Sequence, residues 1–137
     1  MSKIVIDTNI LIYAIDNNSP HQGKSQAIIN NQAYELYITS KNISEFYAVA
    51  TRGANPLVSV KDTIRVIKHY RAIMDVLYPD ENSSKELDNL IQKYQPRGLK
   101  VHDFEIAAIA ISNGITQLAT FNVADFKKIK EIDIVEP

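Results

Sequence analysis

The sequence predicts an α/β fold, a short parallel β-sheet with helices on both faces. Three observations point there. The strand-like runs are short and apolar, and a helical pattern separates each from the next. Polar clusters follow two of these runs, as the binding loops of an open sheet follow its strands. A chain of 137 residues, 45% hydrophobic, suits one domain over residues 1–137 with a core of its own.

The β-branched run Ile4-Val5-Ile6 reads as a buried strand that delivers Asp7-Thr8-Asn9 as a polar turn. A brief helix over Ile10–Ile15 stops at Asp16-Asn17-Asn18-Ser19-Pro20, and a second covers His21–Asn31. Leu36–Ile38 is the next strand. Asn42–Arg52 is a helix closed by Gly53 and Pro56, with an apolar stripe of Ile43, Phe46, Tyr47 and Ala50. Val60–Met74 is helical on the spacing of Val60, Ile64, Ile67, the Arg71 stem and Met74. Pro79–Ser84 reads as a turn-rich linker within the domain. Lys85–Tyr94 is amphipathic, with Leu87, Leu90, Ile91 and Tyr94 on one side, and ends at Pro96-Arg97-Gly98. Asp103–Asn113 is a helix with Gly114 just beyond its end, where a left-handed residue is cheapest as glycine. Ile115–Thr120 and Ile132–Val135 complete the strands.

Composition removes several function classes. No cysteine is present, so disulfide frameworks, thiolate zinc sites and cysteine nucleophiles drop out, which suits a reducing cytoplasm. No apolar run reaches the ~18 residues of a membrane helix. The formal net charge of −1 excludes a bulk basic coat for nucleic acid but leaves room for a local grip. His21, His69 and His102 are isolated and lack zinc spacing.

The acids worth weighing are Asp7 at the end of the first strand, Asp103 at the start of the long helix, and Asp125 after Leu118–Thr120. Each has a plain structural reading as well. Asp7 or Thr8 can cap the helix that follows, and Asp103 can be a cap or a first-turn acid matched to the helix dipole. Asp125 can be a solvated loop acid. Helical geometry turns Glu45 away from the middle of its apolar stripe, which favours a surface glutamate.

In combination these residues resemble a known family. Asp7-Thr8-Asn9, Ser44-Glu45-Phe46, His102-Asp103-x-x-Ile106-Ala107-Ala108 and Thr120-x-Asn122-x-x-Asp125-Phe126 occur in the order found in PIN-domain nucleases. Within that family the chain is most similar to the VapC-type toxins of prokaryotic toxin–antitoxin pairs. The resemblance covers nearly the whole chain and implies a PIN-like three-layer sandwich. It also implies acids gathered at one end of the sheet, holding Mg²⁺ or Mn²⁺ and cleaving RNA. Asp7, Glu45 and Asp103 would be the core carboxylates. Many relatives carry an aspartate where Asn122 stands, so either Asn122 or Asp125 would complete the set. Asp7, Glu45, Asp103 and Asp125 are the expected metal-binding residues, and Glu45 would orient or deprotonate the attacking water. Asn9 and Thr120 would support the acids or the scissile phosphate from behind. All-oxygen donors favour Mg²⁺ or Mn²⁺ over softer ions.

Phosphate grip calls for cations. Lys61, Arg65 and Lys68 form a stripe at i, i+4 and i+7, Arg52 ends the Glu45 helix, and Arg97 and Lys100 precede Asp103. The bland alternative for the stripe is a solvated helix face. The resemblance further implies a homodimer and an antitoxin peptide reaching toward the cleft, with Ile12 and Tyr13 a candidate contact. Two rival functions stand beside the ribonuclease: a PIN-like fold kept for binding with catalysis weakened, and an aspartyl-nucleophile phosphatase. The second wants an aspartate at position 9, where Asn9 stands.

Overall fold

In strand β1 (Ser2–Ile6) successive side chains leave on opposite faces of the sheet, and both faces are buried. The computed structural model describes residues 1–137. Ile4 and Ile6 enter one core together with Ile38, Phe46 and Tyr70, whereas Val5 enters a second core with Tyr37, Leu118, Ile106 and Phe126. A strand apolar on both faces must sit in the middle of a covered sheet.

The chain continues through α1 (Thr8–Tyr13), α2 (Gln22–Ile29), β2 (Tyr34–Thr39), α3 (Ser40–Thr51), α4 (Val60–Ile73) and β3 (Asp75–Leu77). It then forms α5 (Glu81–Tyr94), a 3₁₀ turn (Gly98–Lys100), α6 (Val101–Ser112), β4 (Gln117–Ala119), α7 (Val123–Phe126) and β5 (Asp133–Val135). The five strands run parallel in the order β3-β2-β1-β4-β5. Residues of α1, α3 and α4 fill the core on one face, and those of α5, α6 and α7 the other. The α/β sandwich expected from the sequence is therefore the one observed.

Several local expectations need correcting. Pro79–Ser84 is not a linker: Asp80 caps α5, its carboxylate accepting from Ser83 N at 2.8 Å while Ser83 Oγ accepts from Asp80 N at 2.8 Å. Turn-forming residues also favour helix N-caps, so the same letters suit both. The buried side of α4 is Thr63 and Tyr70, with Ile67 partly covered. Val60 and Ile64 are about half exposed. On α3 the buried positions are Asn42, Phe46 and Ala50, and Tyr47 stays on the surface. Strand β3 and helix α7 went unread because three or four residues cannot display a period.

The end of α6 is set by Gly114 at φ +73°. Gly114 N donates to Ile111 O at 2.9 Å and Ile115 N to Ala110 O at 3.0 Å, the pair of bonds that closes a Schellman motif. That turn reverses the chain into β4 beside β1. Gly114→Ala should lower stability by about 1–2 kcal/mol, because an alanine there would be left-handed. Gly23 lies inside α2 with open space where a Cβ would stand, so Gly23→Ala should raise stability by about 0.5–1 kcal/mol. Urea denaturation midpoints of the two variants should move in opposite directions.

Candidate functional site

Strands β1 and β4 are neighbours, yet the chain leaves β1 toward β2 and β3 on one side and returns through β4 toward β5 on the other. The loops beyond their carboxyl ends consequently diverge and leave a crevice, the usual ligand position in an open sheet. Asp7 follows β1 and Thr120 follows β4, so both stand at that crevice.

Asp7 is only 6% exposed. It caps α1, its Oδ1 accepting from Thr8 N at 2.8 Å, and its Oδ2 accepts from Thr120 Oγ1 at 2.7 Å. Thr120 Oγ1 in turn accepts from Asn122 N at 3.0 Å and from Asn9 Nδ2 at 3.3 Å. Asn9 Oδ1 takes a long contact of 3.5 Å from Phe121 N. The backbone at Asp7 and Thr120 is fixed as well, through Asp7 N to Ala119 O at 3.0 Å and Thr120 N to Val135 O at 3.2 Å.

A second network sets Glu45. Asn42 is fully buried, and its Oδ1 accepts from Thr39 Oγ1 at 2.7 Å and Thr39 N at 3.0 Å, while Thr39 Oγ1 accepts from Asn42 N at 3.1 Å. The remaining amide group of Asn42 donates to Thr8 Oγ1 at 3.0 Å. The first turn of α3 is thereby tied to the first turn of α1, and Glu45 follows one turn later. Sequence reasoning missed Asn42. The available signal was Thr39-x-x-Asn42, a capping-box spacing with Asn in the place of Glu or Gln.

Burial and mutual charge raise the proton affinity of three of the acids. Burial holds the Asp7 carboxyl above its ordinary range, against the lowering effect of its Thr120 and Thr8 bonds, and the Asp125 charge adds to the rise. Glu45 is also raised, by desolvation and then by Asp7, with the Thr8 hydroxyl and His102 opposing. Asp103 is pushed up to about 6, first by burial and then by the charges of Asp125, Asp7 and Glu45. Four carboxylates from distant segments therefore share one field. Asp103 lies in the first turn of α6 and does not cap it. Glu45 has the solvent exposure its helical position predicts, but it opens into a cleft of about 540 Å³ together with Lys41, Ser44 and His102. Asn122 reaches the site through its backbone N–H; its side chain is exposed and makes no hydrogen bond within the chain.

The donors suit a hard cation: all are oxygens, and their mutual repulsion favours a positive charge among them. As they stand, no three His, Asp or Glu side chains are grouped closely enough to ligate one ion. Of the cations, Arg97 and Lys100 border a cleft shared with Asp125. Lys61, Arg65 and Lys68 lie on the exposed side of α4, where Arg65 faces Asp62 at 3.9 Å, and Arg52 is exposed at the end of α3.

The PIN domain family model matches residues 4–132. No curated protein matches the chain by sequence. Among solved structures, VapBC2 of Rickettsia felis bound to a promoter DNA fragment superposes with a TM-score of 0.72 at 17% identity, covering 98% of each chain. DNA-bound VapBC of Salmonella typhimurium gives 0.72 at 24% identity, covering 99% of this chain and 98% of that one. VapC20 of Mycobacterium tuberculosis, described as a sarcin-ricin loop cleaving toxin, gives 0.75 at 11% identity, covering 98% and 99%. Likeness at these identities establishes the shared fold.

Two predictions follow from the geometry. Asp7 and Asp103 bind protons more tightly folded than unfolded, so the folded chain holds the extra protons between the ordinary value of 3.8 and the raised one. For Asp103 the contribution is fullest below pH 3.8 and is lost as pH rises through about 6; that of Asp7 likewise fades as pH rises. In EDTA, the native chain should lose stability between pH 5 and 7 relative to Asp103→Asn, as read by urea titration at both pH values. Thr120→Val leaves Asp7 with a single donor and should cost about 1–3 kcal/mol, more at pH 7 than at pH 3, where the Asp7 carboxyl is protonated. Equal loss at both pH values would separate Thr120 from the Asp7 charge.

Proposed function

The chain belongs to the PIN-domain family, and from that premise we propose that it is a divalent-metal-dependent endoribonuclease, the toxin of a toxin–antitoxin pair. The observation that carries the reading is the mutual field of Asp7, Glu45, Asp103 and Asp125 at the crevice between β1 and β4. A set of acids assembled from four segments, one of them almost wholly buried, has no structural need that a single cap would not meet. Its chemistry fits Mg²⁺ or Mn²⁺, held by Asp7 and Asp103 with Asp125 completing the set. The VapBC complexes that share the fold support an antitoxin partner, and VapC20 supports RNA as the substrate.

When bound, the divalent ion would offset charge on the scissile phosphate and make an attacking water more acidic. The protein's own groups perform the remaining work. Thr120 and Thr8 N–H fix both oxygens of Asp7, so its carboxylate needs no reorganisation as charge develops. Glu45 stands in the cleft with a raised proton affinity, which suits it to take the proton of the nucleophilic water. Asn9 secures Thr120 from behind. Asn122 lends an N–H to the same hydroxyl, and its free amide is available to a phosphate oxygen.

The phosphatase alternative loses ground here, because the group at position 9 is an amide engaged with Thr120 and Phe121. Incubation of RNA with Mg²⁺ or Mn²⁺ should give discrete internal cuts, and Asp103→Asn should slow them by about a hundredfold or more. Mn²⁺ in hundredfold excess over its dissociation constant should raise the melting temperature by roughly 10 °C, an effect absent in Asp7→Asn. A melting temperature indifferent to every divalent ion would sink the metal-dependent reading.

A further inference from the structure

We propose that the cleft formed by the end of α5, the 3₁₀ turn before α6 and the chain just after α7 is a backbone-gripping subsite. There Arg97, Lys100 and Lys128 hold phosphates of single-stranded RNA on one flank of the acids. The inference rests on the nuclease reading above and gives that site its substrate path.

The cleft has a volume of about 370 Å³, and Tyr94, Gln95, Arg97, Lys100, Asp125 and Lys128 are among its walls. Three cations share it with one carboxylate. Elsewhere Lys41 meets Glu105 at 2.7 Å, Lys93 meets Glu131 at 3.0 Å and Lys85 meets Glu81 at 3.5 Å, but Arg97, Lys100 and Lys128 have no carboxylate within ion-pair reach. Three like charges in one concavity repel one another, and an anionic strand would relieve that repulsion. Lys128 escaped the sequence reading because it lies far along the chain from Arg97 and Lys100; only the folded chain brings it to the wall they share.

Continuity with the acids comes from Asp125. It lines this cleft, and its charge also reaches Asp7 and Asp103. Glu45 lines the other cleft, and Asp103 feels both. His102, on one side of Asp103 in the chain, lines the Glu45 cleft, and Phe104, on the other side, lines this one, so both concavities border the first turn of α6. They differ in charge. In the Glu45 cleft, Lys41 is neutralised by Glu105, which also faces His102 Nδ1 at 3.2 Å, so the free cations lie on the Asp125 side.

The wall is also held in shape. Gln95 is the one non-glycine residue in the left-handed region, at φ 51° and ψ 54°, and its N–H closes α5 on Ile91 O at 2.8 Å. A strained backbone at a cleft wall is a conformation the surroundings must enforce. Beside it the Tyr94 hydroxyl is fixed between Glu131 and Lys130 N. Cations on flexible stems over a fixed wall read charge and spacing, not base identity, so the grip is sequence-tolerant.

The test is binding of a labelled short single-stranded oligouridylate in EDTA, where cleavage is off, followed by fluorescence anisotropy across a salt series. The Arg97→Ala/Lys128→Ala variant should bind about tenfold or more weakly, and its log K against log salt slope should flatten by about 1.4, the loss of two single-strand phosphate contacts. The charge-keeping Arg97→Lys/Lys128→Arg variant should bind as the native chain does, as should Lys61→Ala/Lys68→Ala on α4. The subsite is overturned if the alanine pair leaves affinity and slope unchanged, if the α4 pair weakens binding equally, or if the native chain does not bind the oligonucleotide. Cleavage with Mn²⁺, assayed separately, tells the two readings apart. Binding that depends on Arg97 and Lys128 without any cleavage would keep the subsite and remove the nuclease, while cleavage untouched by the alanine pair would do the reverse.

Discussion

The arrangement depends on one constraint: the carboxylate of Asp7 is taken out of water at the point where the strand order reverses, with three further acids in its field. Two like charges about 5 Å apart repel by about 3 kcal/mol at an effective dielectric near 20. A domain with roughly 5–15 kcal/mol of folding stability cannot carry several such pairs unless something offsets them. Here the offset begins in the scaffold. Both oxygens of Asp7 accept hydrogen bonds, and the rise in its proton affinity is less than burial alone would produce. What remains uncompensated is chemical potential for a cation or a proton.

Every neighbouring feature positions that carboxylate or its companions. Thr8 serves twice, giving its N–H to Asp7 and its hydroxyl to Asn42 as an acceptor. Asn42 passes the constraint to Thr39 at the end of β2, so α1 and α3 start in fixed relation and Glu45 inherits its place from Asp7. Tyr70 of α4 donates to Leu11 O at 2.7 Å and closes α1 from its far side. A short helix of six residues has little stability of its own. α1 holds because caps, packing and the Tyr70 bond each satisfy part of it.

The fold was legible where a residue had only one physical use. Ile4-Val5-Ile6 could only be a strand covered on both faces, and Gly114 could only end a helix. It was illegible where one residue type has two uses or the element is too short. Asp80 and Ser83 suit a turn as well as a cap, Val60 and Ile64 fit the period of α4 without lying on its buried side, and β3 contributes just three residues. The candidate site divides the same way. Asp7 declares itself by following a strand, whereas Glu45 obeys the periodicity of a surface residue and owes its cleft position to tertiary packing. The resemblance to PIN nucleases singled it out; helical geometry could not. Asn42 and Lys128 were missed for the corresponding reason, since a buried polar link and a shared concavity are properties of pairs of segments.

The topology explains why acids and cations can stand so close without cancelling. Because the chain leaves β1 in one direction and re-enters through β4 from the other, the loops at the crevice come from both layers of the sandwich. The α3 side supplies Glu45 beside a lysine already claimed by Glu105. The side of α5 and α7 supplies Asp125 beside three cations that no carboxylate claims. Negative potential is therefore concentrated at the centre and positive potential along one flank. On the proposed nuclease reading, a polyanion would meet attraction on that flank and repulsion at the acids, and a divalent cation held there would reverse that sign. On that reading a single electrostatic pattern would both admit the strand and make its cleavage conditional on metal.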